Sequence, residues 1–228
     1  MPSRKKSTMF SSAFSTSVSS FVLICVGLAT QDWVTSELLY KSTNSSVTIT
    51  LNYGLFRGTC EQFYLAGLQG PKSNFQVADA LSSNATKSIN IAIIVILVLC
   101  LLSSLLSSGF TCANAVSNPY QTFLGPFGVY TWNSLCGILT LLAMILFPVN
   151  IERNRLAEEL APRGCSTSLQ TPLKSQHSYG YSYWILLPII LLSIASIIII
   201  YFYDHARYSR KKEQERPIEN APKDVILF

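Results

Sequence analysis

Cys60 and Cys165 are the residues best placed for covalent chemistry, because each stands in a polar stretch between apolar runs. Two such thiols can bridge in an oxidising compartment, although their separation argues neither for nor against pairing. Cys25, Cys100 and Cys136 lie inside apolar runs, where a thiol packs as a small apolar side chain. Cys112 ends one such run, either as a buried free thiol or as a site of reversible acylation. Asn44-Ser45-Ser46 and Asn84-Ala85-Thr86 are glycan-acceptor patterns wherever they face an export compartment. His177 and His205 are far apart, each beside aromatics and without partners at ligand spacing, so no metal is expected. The sequence shows no Gly-rich phosphate loop, nucleophile–base pair or carboxylate dyad on a common framework. Neither an enzyme nor a cofactor protein is expected.

What must position these residues is a membrane-embedded scaffold. Hydrophobic residues make up 49% and charged residues 13% of 228 positions, and the mean hydropathy is +0.34, a balance that does not suit a water-soluble surface. Four apolar runs, 10–30, 89–112, 127–147 and 183–203, contain no Asp, Glu, Lys, Arg or His. Each is about the twenty residues that cross a bilayer core of about 30 Å as a helix. The first run is rich in Ser and Thr, suited to bonding back to its own carbonyls or across to a neighbour. Its rival reading is a cleaved signal peptide, for which Gly27-Leu28-Ala29 offers a small-residue end, but the hydroxyl-rich first half opposes it. The second run ends in the small residues Ser103, Ser104, Ser107, Ser108 and Gly109, a face for close helix contact. Tyr130, Trp132, Tyr183, Trp184, Tyr201 and Tyr203 form interfacial belts, and Pro188 is expected to kink the last helix. Transporters and ion-selective pores place ionisable groups at depth, so their absence here counts against those classes.

Charge sets the orientation. Of 17 basic residues, Arg4, Lys5 and Lys6 precede the first run, and Arg207, Arg210, Lys211, Lys212, Arg216 and Lys223 follow the last. The net charge of +5 therefore reads as two cytoplasmic flanks (1–9 and 204–228) facing anionic lipid, not as a nucleic-acid surface. Residues 113–126 form a short, uncharged cytoplasmic connection, and the stretches 31–88 and 148–182 are exported. In the C-terminal tail, Ile226 and Phe228 beside a free carboxylate fit a strand-addition ligand for a PDZ-type groove.

The first exported loop holds the chain's one strict period-two pattern. Val47, Ile49, Leu51, Tyr53 and Leu55 alternate with polar residues from Ser46 to Gly58, which predicts a strand with one covered face. A preceding run, Val34 to Tyr40, and a polar turn at Lys41 to Ser45 make the two a β-hairpin spanning 34–58, with Asn44 on the turn. Residues 59–87 read as less regular, with a helical turn at Val77 to Leu81. In the second loop, residues 151–161 read as the third span continuing above the membrane. Glu152, Arg155 and Glu159 fall at helical spacing, Leu156 and Leu160 make an apolar edge, Pro148 kinks the entry, and Pro162 with Gly164 stops the helix.

A Trp after the first span (Trp33), Gly54-Leu55 and Cys60 resemble the claudin-like tetraspan superfamily, with Phe56 in place of that family's second Trp and no second cysteine in the loop. The departure is similar to the clarin branch. Tyr53, Gly54, Leu55, Phe56 and Gly58 in YGLFRG, and Thr122, Gly125, Pro126, Gly128 and Tyr130 in NPYQTFLGPFGVY, carry that resemblance. It implies an all-α membrane protein, a four-helix bundle with a small extracellular β-hairpin or sheet. It also implies a non-enzymatic, multi-pass plasma-membrane glycoprotein that organises membrane-protein partners through adhesion, a scaffold or a cytoskeletal adaptor, with a sensory role by analogy. Two rivals stand beside that organiser: an auxiliary subunit of an ion channel, and a claudin-like paracellular junction protein. Gly125-Pro126 reads as the turn that holds the second and third helices antiparallel.

Overall fold

The computed structural model describes residues 2–41, 46–64, 68–116, 125–165 and 172–215. Four long helices, α1 (Pro2–Ala29), α3 (Asn84–Val116), α4 (Gly125–Glu152) and α7 (Leu186–Glu215), form a bundle in which α1 and α4 each pack against both α3 and α7. All four are long and apolar enough to cross a membrane. Their sidedness suits lipid as solvent. Ile91, Val95, Leu102, Ile138, Leu191 and Ile198 are exposed, while Ser103, Ser104, Ser107, Ser108 and Thr111 of α3 are buried. Leu is as well solvated by acyl chains as by another helix, so association rests on close approach of small residues and on hydrogen bonds. Gly109 differs from its serine neighbours: a side chain there would meet nothing within 4 Å, so it is not part of that contact face.

The hydroxyl-rich stretch of α1 uses both expected routes. Ser12, Thr16, Ser19 and Ser20 bond back to carbonyls three or four residues earlier. Ser17 Oγ reaches Ser107 Oγ of α3 at 3.0 Å, and Asn133 of α4 donates to the same Ser107 hydroxyl at 2.7 Å. Cys100 and Cys136 face each other between α3 and α4, with their sulfurs 2.7 Å apart. Cys112, by contrast, is exposed on α3, so it is not a buried thiol.

The expected hairpin is part of a larger sheet. β1 (Val34–Lys41), β2 (Ser46–Tyr53), β3 (Arg57–Tyr64), β4 (Ser73–Gln76) and β5 (Lys174–Tyr179) form one antiparallel sheet in the order β4-β3-β2-β1-β5. The alternating stretch is therefore not one strand to Gly58. It turns at residues 54–56, where Gly54 N–H donates to the Arg57 carbonyl at 2.9 Å, and it re-enters the sheet as β3. Tyr53, at the end of β2, pairs with Gly58 near the start of β3. The second loop supplies β5, which pairs along β1.

The helical extension of α4 also differs from expectation. The helix ends at Glu152; Arg155 adopts a left-handed backbone (φ 52°), and a separate helix, α5 (Leu156–Gly164), follows. Arg155 consequently meets Glu158 at 3.6 Å rather than Glu159. Pro148 lies within α4 and Pro162 within α5. Leu156 and Leu160, the expected apolar edge, are buried, and α5 packs across β1 to β4 and a short helix, α2 (Val77–Ala80). The break preceding α7 falls at Ile185, after a short helix, α6 (Tyr181–Trp184), with Pro188 in the first turn of α7. The connection between α3 and α4 is shorter than its sequence suggests, because α3 extends to Val116 and Gly125-Pro126 form the first two residues of α4 rather than a turn before it. Gly125 has φ 55°, a conformation that favours glycine, and Pro126 is tolerated in a first helical turn.

Candidate functional site at the sheet-bearing end

One continuous core joins the sheet to the helices. Val34, Leu38 and Tyr40 of β1 and Val47, Ile49, Leu51 and Tyr53 of β2 point inward and are buried, with Leu55 beyond them. Below them Trp33 is fully buried. Its indole N–H donates to the Gly27 carbonyl at 2.8 Å, one of the carbonyls at the end of α1, and its ring lies 4.9 Å from that of Phe147. Phe147 and Tyr183 stack at 6.0 Å, and Tyr179 meets Tyr183 at 4.8 Å, so aromatic contacts run from α4 through α6 to β5.

The two loops are tied covalently. Cys60 of β3 and Cys165, just after α5, form a disulfide with Cα atoms 5.7 Å apart. Gln62 donates to the Cys165 carbonyl at 3.0 Å and Ser73 to the Gly164 carbonyl at 2.7 Å, so side chains of β3 and β4 satisfy carbonyls at the end of α5. At the other side of α5, Glu159 Oε1 accepts from Ser82 N–H at 2.6 Å, from the Ser82 hydroxyl at 3.1 Å and from Ser83 N–H, in the turn that leads into α3. Burial pushes the Glu159 carboxyl up, but hydrogen bonds from Ser83, Thr86 and Ser82 together outweigh it and hold the group below the ordinary glutamate range.

His177 faces Ser36 across the β1–β5 pairing, and its Nδ1 lies 2.8 Å from the Ser36 hydroxyl, which is itself 3.3 Å from the Tyr53 hydroxyl. Ser36 is fully buried, so this serine–histidine contact is a bond within the fold and has no room for a substrate. Burial pushes the Tyr53 phenol up, the Ser36 bond pulls against it and Tyr179 adds to the rise. Burial, with Glu158 nearby, pushes Tyr40 up to about 12. Among the described residues no three His, Cys, Asp or Glu side chains converge on a metal-sized site.

The turn between β2 and β3 packs closely against the end of α1. A Cβ on Gly54 would stand 2.7 Å from the Thr30 carbonyl oxygen and 3.2 Å from the Trp33 ring, so the turn closes on the end of α1 only with glycine. Asn90 of α3 donates to the Leu55 carbonyl at 3.1 Å, and Val77 N–H to the Phe56 carbonyl at 2.9 Å. Phe56 itself is 47% exposed. Of the remaining motif residues, Gly58 faces the Phe75 ring, Gly128 is buried, and Tyr130 packs beside Phe10, Val129 and Ile200. Asn84 is the first residue of α3 and is exposed. Asn44, Thr122, Ile226 and Phe228 lie outside the described residues.

The family model described as Clarin-2-like matches residues 5–200, and human Clarin-3 is 48% identical over 228 residues, 100% of both chains. The chain belongs to the clarin family. Mouse Clarin-3 is 47% identical over the same 100% of each chain, whereas human Clarin-2 is 28% identical over 88% of this clarin and 89% of its own length. In this clarin YGLFRG is thus the turn that seats the sheet on α1 and α3, and GPFGVY opens α4.

Proposed function

We propose that this clarin-type tetraspan is a non-enzymatic organiser of partner proteins in the plasma membrane, with both termini in the cytoplasm and the sheet outside. The observation that supports this reading most is how the interior is used. Hydroxyls and amides inside the bundle bond one another, as in Ser17, Ser107 and Asn133, and the apolar runs carry no Asp, Glu, Lys, Arg or His. Such an interior holds four helices together without offering a relay or an ion path. What is left to do work is surface: the outer face and edges of the sheet, the lipid-facing sides of the helices, and the C-terminal tail.

On this reading Asn44 and Asn84 carry glycans, Ile226 and Phe228 present the tail to a PDZ-type scaffold or a cytoskeletal adaptor, and a sensory role follows by family analogy. Proximity labelling in the native cell type tests it. Adhesion or cytoskeletal proteins among the labelled neighbours are the expected result. A single stoichiometric channel would favour an auxiliary subunit instead, and altered permeability of a cell monolayer would favour a junction protein.

A further inference from the structure

A cleft of 780 Å³ lies between the sheet-side ends of α1 and α3, against the turn that carries Leu55, Phe56 and Arg57. Its lining changes character along α3. Lys87 stands at the rim, with Ile91 and Ile94 one and two helical turns further along the same face. At 1.5 Å per residue, Ile94 lies about 10 Å from Lys87 along the axis, farther than the roughly 5–8 Å of headgroup region on each side of a bilayer core. Leu28 of α1 and Leu55 complete an apolar wall, while Arg57 joins Lys87 at the rim. Among the described residues no acidic side chain lines the cleft. The ion pairs among the described residues are Lys72 with Glu61 and Arg155 with Glu158, so neither rim cation is neutralised there. The rim is also preset, because the carbonyls of Leu55, Phe56 and Arg57 all accept hydrogen bonds, from Asn90, Val77 and Gly54.

We propose that this cleft binds one phospholipid of the leaflet beneath the sheet, its phosphate held by Arg57 and Lys87 and an acyl chain lying along Leu28, Ile91 and Ile94. The charge selects that occupant. A phosphate supplies the anion that two cations on separate elements lack, and a lipid is the phosphate carrier whose other end matches the apolar wall. An apolar helix in the same place would cover the two cations without compensating them.

The test uses the full-length chain reconstituted in vesicles of phosphatidylcholine and phosphatidylglycerol. The vesicles are doped either with a phosphatidylcholine analogue carrying a photoreactive acyl chain or with a diacylglycerol carrying the same chain. The phospholipid adducts should concentrate on peptides containing Leu28 and Ile91 to Ile94, and the diacylglycerol should label them weakly. The double variant Arg57→Gln, Lys87→Gln should lose about tenfold of the adduct, the equivalent of one charge-assisted bond. Ile91→Trp, which fills the apolar wall, should lose it with both cations present. Arg57→Lys with Lys87→Arg should retain it, and an intact Cys60–Cys165 bond reports that each variant has folded. Adducts spread evenly over the four helices, equal labelling by diacylglycerol, insensitivity to the double variant, or displacement by inorganic phosphate would each overturn the proposal.

Discussion

Tyr183 donates its hydroxyl hydrogen to the carbonyl of Met144 at 3.1 Å. In an unbroken helix that carbonyl would accept from the N–H of residue 148, which here is proline and has none. The short helix α6 therefore satisfies a carbonyl that α4 leaves open, and α4 runs through its proline to Glu152.

Tyr183→Phe keeps the ring that packs with Phe147 and Tyr179 but leaves that carbonyl unbonded, and it should cost about 1–2 kcal/mol. In a Pro148→Ala background the N–H returns and the same substitution should cost much less. A double-mutant cycle on unfolding of the detergent-solubilised chain measures the difference. Equal cost in both backgrounds would show that the bond carries no such role.

The Cys60–Cys165 bond should appear as one linked peptide pair in a non-reducing digest, and both thiols should resist alkylation until reduced. Cys60→Ser with Cys165→Ser should destabilise the sheet-bearing end by a few kcal/mol, since the bond closes a separation of 105 residues. The readout is hydrogen exchange at β3 and α5, where a double variant as protected as the native chain would contradict the prediction.

The parts of the fold that could be read directly are those whose residue pattern is set by their surroundings. Lipid around a helix demands an uncharged apolar run, and an inner sheet strand demands alternation, so the helices and β2 are visible in sequence. β3 is hidden because its inward positions are Gly58, Cys60 and Gln62, which fill space and bond rather than show as apolar. β5, KSQHSY, is an edge strand with most of its residues exposed, so no burial period marks it. The end of α4 is hidden for another reason. Glu152, Arg155 and Glu159 have helical spacing, but Arg155 takes a left-handed backbone and Glu159 is drawn to the amides of Ser82 and Ser83. Likewise, nothing local to Cys60 or Cys165 predicts their approach, which depends on α5 lying across the sheet.

Glu159 makes the docking of α5 sensitive to acid. Its folded value lies below the unfolded one, so its contribution is complete above the ordinary glutamate range and is lost as pH falls through the depressed folded value. Amide exchange at Ser82 and Ser83 should therefore accelerate in that acid window. Glu159→Gln, which cannot ionise, should raise exchange at neutral pH and remove the added acid sensitivity. Identical exchange in the variant and the native chain would argue against the contact.

Inside the bundle, Ser107→Ala removes one hydroxyl that serves both Ser17 and Asn133. Interhelical bonds of this kind average about 0.6 kcal/mol and reach about 1.7. The loss should fall toward the upper end, because two partners are orphaned together, although Asn133 keeps its bond to the Val129 carbonyl at 2.9 Å. Unfolding of Ser107→Ala against Ser17→Ala separates the shared hydroxyl from the single one; equal costs would contradict the network.

The proposed orientation puts the sheet outside the cell as a lid built from both loops, with the two chain ends inside. Separate epitope tags at Ser42 and Asp224, probed on intact and then permeabilised cells, test this most directly. Ser42 should stain on intact cells and Asp224 only after permeabilisation; staining of Asp224 on intact cells, or failure of Ser42 to stain until they are opened, would contradict it.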